Sequence, residues 1–104
     1  MSNLRDVADV IRSKNSGPFE LTFDIIFKNQ ENFEKFRDAN ILTKESFAKL
    51  YAIDVKDVLN VIYFAPAKAV KVTIIRPISS GALGETDVYG AQQHAPLLTL
   101  EFDL

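Results

Sequence analysis

Two stretches of this 104-residue chain concentrate side chains able to do chemistry. The first is Arg12-Ser13-Lys14-Asn15-Ser16-Gly17-Pro18, with two cations, two hydroxyls, an amide and a glycine. Successive backbone N–H groups in a turn of this composition can form an anion-binding nest, with Arg12 and Lys14 supplying charge. The plainer reading is a polar loop with solvated cations, punctuated by Gly17 and Pro18. The spacing lacks the Gly-x-x-x-x-Gly-Lys pattern of a nucleotide P-loop. The second stretch runs from Pro77 to Pro96 and holds three of the four glycines. Structureless loops beyond about 12–15 residues are uncommon in compact domains and often carry function. This one gathers Asp87, Tyr89, Gln92, Gln93 and the single histidine, His94, within eight positions. It reads either as a ligand-binding loop rich in hydrogen-bonding groups or as a surface excursion whose His94 is merely exposed.

Other chemistries find little support. One histidine and no cysteine leave no thiolate or multi-histidine metal site, so no metal and no cofactor is expected. Glu20 and Asp24 sit four residues apart on one strand face, about 13 Å along it, too far for a coupled carboxylate pair. A triad of Ser79 or Ser80 with His94 and Asp87 lacks the Gly-x-Ser-x-Gly elbow. The phenylalanines fall at strand and helix spacings, which marks them as core and not as a stacking platform for bases.

The elements that must position these stretches follow from periodicity. Phe19, Leu21, Phe23, Ile25 and Phe27 alternate with Glu20, Thr22 and Asp24, which predicts a half-buried strand. Asn29 is placed to cap a helix near 30–39 with Phe33 and Phe36 on one face. Thr43 is placed to cap a second helix near 44–52 carrying Phe47, Leu50 and Tyr51. Val58 to Phe64 is nearly all apolar, as in a central strand covered on both faces. Ala65-Pro66-Ala67-Lys68 is a turn, and Val70, Val72 and Ile74 alternate in the other arm of a hairpin. Leu98 to Leu104 alternates as a last strand. Residues 4–11 fit a helical template through Leu4, Val7, Ala8 and Ile11, with Asn3 as cap. Strands, then helices, then strands predict a two-layer α+β domain, an antiparallel sheet with two helices on one face.

Length and charge agree with a single domain over 1–104. The net charge of -2 argues against nucleic acid as partner. No apolar run approaches the roughly 20 residues of a membrane span, and the polar N-terminus is unlike a signal peptide. A cytoplasmic protein without a membrane partner is the expectation.

Residues 4–27, residues 86–98, and Lys71-Val72-Thr73-Ile74 with Arg76-Pro77 carry a resemblance across nearly the whole chain. They resemble a small family of unknown function that accompanies proteins of the acyclic terpene utilisation (AtuA) type. More distantly, the chain resembles the ferredoxin-like domain at the C-terminal end of those larger proteins. There an Arg-Ser-Gly-Asp-Lys-Gly run stands in the place of residues 12–17, and an Asp-x-x-Gly-Lys-like run matches Asp87-Val88-Tyr89-Gly90. This chain departs from both runs, with Lys14-Asn15 for Gly-Asp and Ala91 where a lysine stands. The resemblance implies a ferredoxin-like fold in which residues 4–11 form a first strand.

It also implies a small accessory or ligand-binding subunit. That subunit would act with a larger AtuA-type partner in the catabolism of branched carboxylic acids or their CoA thioesters. In this reading Arg12, Ser13, Lys14, Asn15, Ser16 and Gly17 meet Asp87, Tyr89, Gln92, Gln93 and His94 in one composite site for a small carboxylate or thioester. A stand-alone small enzyme with Asp87 or His94 as acid/base is the alternative; with one histidine and no cysteine, the chain has few parts for it. A structural homo-oligomer is the third reading.

Overall fold

The computed structural model describes residues 2–17, 19–75, 97 and 99–102. Nine elements of strand and helix follow one another within them. They are β1 (Ser2–Asn3), α1 (Leu4–Val7), β2 (Ala8–Gly17), β3 (Glu20–Phe27), α2 (Gln30–Asp38), α3 (Lys44–Tyr51), β4 (Val58–Phe64), β5 (Ala69–Ile75) and β6 (Glu101–Phe102). Four strands form an antiparallel sheet in the order β2-β3-β5-β4, and β1 pairs antiparallel with β6. The architecture is the two-layer α+β arrangement that the periodicity predicts.

The ferredoxin-like expectation finds no support in the connectivity. A ferredoxin-like domain threads β-α-β-β-α-β. Here both long helices fall between the second and third strands of the four-stranded sheet. Each half of that sheet is therefore a hairpin, and the helix pair crosses from β3 at its centre to β4 at its edge.

The helices begin where their caps stand. Asn29 Oδ1 accepts from the Asn32 amide at 2.8 Å, and Thr43 exchanges hydrogen bonds with Ser46 at 2.8 and 3.1 Å. Such caps satisfy N–H groups that no helical turn can reach. At the end of α3, Ala52 adopts φ +54°, a left-handed conformation in which its Cβ is crowded. Ala52→Gly is expected to raise the unfolding free energy by about 1 kcal/mol, read as a higher urea midpoint.

Aromatic rings join the layers. Phe23 on β3 lies 5.0 Å from Phe47 and 5.1 Å from Tyr51 between ring centroids, and Phe47 stacks on Tyr51 at 4.4 Å. Phe27 meets Phe36 at 5.0 Å and Phe33 at 6.0 Å. Phe36 reaches Phe102 at 5.2 Å and so ties β6 to the same core. Tyr63 donates its hydroxyl to the Leu42 carbonyl at 2.6 Å, which fixes β4 to the connection between α2 and α3. Leu21, Phe23 and Ile25 are buried, while Glu20 and Asp24 lie on the opposite face, as the alternation requires.

Four expectations are corrected. Residues 4–11 are not one strand, because Asn3 and Asp6 cap a helical turn over Leu4–Val7 and the strand starts at Ala8. Phe19 precedes β3 in the turn and is 57% exposed, so it takes no part in the buried face. The segment 12–17 is not a turn but the second half of β2, paired with β3 except at Ser16, where the register shifts. Finally, β4 is an edge strand and not a central one. Only its inner face is covered, and apolar Leu59, Ile62 and Phe64 remain exposed.

Candidate functional site

Extended backbone decides what residues 12–17 can do. In a strand, successive N–H groups point to opposite edges and successive side chains to opposite faces. A convergent nest of amides is therefore absent at 12–15, where the register runs Arg12↔Asp24, Ser13↔Phe23, Lys14↔Thr22 and Asn15↔Leu21. Ser13 is buried and Asn15 partly buried on the helix-covered face, and both make further interactions. Arg12, Lys14 and Ser16 are exposed on the outer face. Gly17 closes the hairpin opposite Glu20 after a register shift. The sequence cluster thus divides into two sets that do not meet. Asp87, Tyr89, Gln92, Gln93 and His94, with the composite site they were expected to complete, lie outside the described residues.

On the outer face the ladder assembles a different cluster. One cross-strand row reads Arg12, Asp24, Lys71 and Ile62, and the next reads Lys14, Thr22, Thr73 and Asn60. Neighbours in a row stand about 5 Å apart and the two rows about 7 Å apart, so one small molecule spans both. Arg12 Nε donates to Asp24 Oδ2 at 3.3 Å, which already occupies its charge with a structural carboxylate. Lys14 and Lys71 form no such ion pair among the described residues. Thr22 and Thr73 are buried at 2% and 8% exposure, although their strands present this face away from the helices. Asn60 completes the row, and among the described residues its Oδ1 is buried without a hydrogen-bond partner. An unsatisfied buried amide oxygen costs on the order of 1–3 kcal/mol, so this atom favours a donor beside it.

This arrangement suits binding better than catalysis. Among the described residues the face offers two ammonium groups outside any ion pair, two hydroxyls and an acceptor without a donor. Among the described residues there is no group of His, Cys, Asp and Glu able to hold a metal ion. No described helix is long and apolar enough to cross a membrane.

Lys71, Thr22, Thr73 and Asn60 escape a reading of the sequence alone. Alternation marks Thr22, Lys71 and Thr73 as outward residues, but the register that lines them up with Lys14 is set by the fold. Asn60 had a visible mark, as the lone polar residue inside Val-Leu-Asn-Val-Ile-Tyr-Phe.

The fold and this face define a small α+β domain whose sheet carries polar groups on the side away from the helices. The chain belongs to the family described as domain of unknown function DUF4387, whose model matches residues 4–101. Neither a curated protein nor a solved structure matches it.

Proposed function

We propose that this protein is a small non-catalytic binding subunit that holds an acidic acyl ligand on the outer face of its sheet. The observation that carries this reading is the buried Asn60 Oδ1, without a partner among the described residues, at the end of a row of hydroxyls flanked by Lys14 and Lys71. A carboxylate or phosphate is a pure acceptor, which the ammonium groups and hydroxyls can serve. It gives nothing to Asn60 Oδ1, which needs an N–H or O–H. A CoA thioester offers both kinds of group, amide N–H and phosphate, and so fits the row more completely than a simple branched carboxylate. Arg12 contributes by holding Asp24 and keeping that carboxylate from competing for Lys71.

The resemblance of residues 4–27 and 86–98 to the family that accompanies AtuA-type proteins supports a setting. In it, the chain works in the cytoplasm beside a larger subunit in the catabolism of branched carboxylic acids or their thioesters. Residues 87–94 supply further contacts to the ligand or to that subunit. Copies of the chain recovered from the native host bring a large partner with them in this reading.

Calorimetric titration with CoA tests the site itself. Lys71→Ala is expected to weaken binding about tenfold or more, the loss of one charge-assisted hydrogen bond. Asn60→Leu is expected to abolish the preference for CoA over a plain carboxylate while raising the unfolding free energy by about 1 kcal/mol. Gain of stability with loss of binding separates a site residue from a structural one. Equal CoA binding by both variants and the parent would remove the proposal.

A further inference from the structure

Among the described residues the sheet ends at β4 in an edge without the usual protections. Natural edge strands are blunted by charged side chains, proline, strong bulges or a covering element, because an open row of N–H and C=O groups recruits another strand. At the opposite end of the order, β2 carries Asp9, Arg12 and Lys14. Seven residues long, β4 reads Val-Leu-Asn-Val-Ile-Tyr-Phe with no charge and no proline. Its bulge lies at one end, between Val58 and Asn60, and leaves 60–64 regular. Among the described residues β4 pairs with β5 alone. Leu59, Ile62 and Phe64 are 39%, 47% and 55% exposed, and Phe64 continues an outer-face apolar row of Val10, Ile26 and Ala69.

We infer that β4 is a self-association edge, pairing antiparallel with β4 of a second copy to make one continuous eight-stranded sheet. Charge selects this occupant and this direction. The flank before β4 holds Asp54, Lys56 and Asp57, net negative, and the flank after it holds Lys68. A two-fold axis at Val61 brings Asp54 of each copy opposite Lys68 of the other. Parallel pairing would set like flanks together. The strand itself, having no charge, meets its copy without repulsion, and Ile62 packs near the axis opposite Asn60 of the other copy. An interface of this kind is isologous and closes at two copies.

Sedimentation equilibrium of the full chain across micromolar to millimolar concentration tests this. The parent is expected to dimerise, and Ile62→Lys, which sets like charges near the axis, to weaken dimerisation by about tenfold or more. Phe19→Lys, at a still more exposed apolar site in the β2–β3 turn, should leave it unchanged. Far-UV circular dichroism checks that each variant is folded. Because the chain has no cysteine, Ile62→Cys gives a second readout. Oxidation should cross-link it into covalent dimers much faster than Lys35→Cys on α2. A parent that stays monomeric throughout would overturn the inference. So would a dimer indifferent to Ile62→Lys, or cross-linking no faster at 62 than at 35.

Discussion

Phe23→Ala is expected to cost about 3–5 kcal/mol of unfolding free energy, whereas Phe19→Ala, four residues earlier, should stay within about 0.5 kcal/mol. The two residues look equivalent in an alternating run, so the contrast is a sharp test of where the strand begins. Phe23 is fully buried at the centre of the sheet and meets Phe47 and Tyr51 edge-on or tilted. Its removal deletes apolar contact and leaves a cavity between layers that two rigid rings on α3 cannot close. Phe19 stands outside the ladder and mostly in water. A domain of this size holds about 5–15 kcal/mol in all, so Phe23→Ala should leave a marginal fold. Urea titration decides it. The midpoint should fall steeply for Phe23→Ala with an unchanged slope, and a loss below about 1 kcal/mol would place Phe23 outside the core.

The same pair shows how far a sequence reading reaches. Periodicity located β3, α2, α3 and β5 because each buries one face, and a buried face writes its period into the residues. Caps at Asn29 and Thr43 were legible because the chemistry is local. Long-range facts were not. The apolar run of β4 looked like a doubly covered strand, yet composition cannot tell burial from an open edge. The turn read into residues 12–17 rested on Ser, Asn and Gly, residues that also occupy strands when a partner is in register. Arg12 and Asp24 meet across twelve positions only because β2 and β3 form a hairpin. Likewise the candidate site was half visible, with Arg12 and Lys14 named and Lys71, Thr22, Thr73 and Asn60 brought to them by the ladder.

The fold should also weaken at alkaline pH, and the cause should be two tyrosines. Burial pushes the phenol of Tyr51 well above its ordinary value, and burial raises that of Tyr63 as well. In the unfolded chain both titrate near pH 10. Above that pH the unfolded state gives up phenolic protons that the folded state retains. The unfolded state then binds fewer protons, so unfolding free energy falls as pH rises. Below about pH 9 both states hold these protons, and the contribution is complete and flat. Tyr51 is the stronger case, because it stacks on Phe47, tilts against Phe23 and bonds the backbone of Leu97. A phenolate there would put a charge among rings that offer no counter-ion. Urea midpoints from about pH 8 to about pH 11 should therefore fall for the parent. In a Tyr51→Phe, Tyr63→Phe chain the fall should shrink. The double variant starts lower, since Tyr63 no longer donates to the Leu42 carbonyl. Its curve should meet that of the parent as the pH climbs. Parallel curves would show that neither phenol is held neutral by burial.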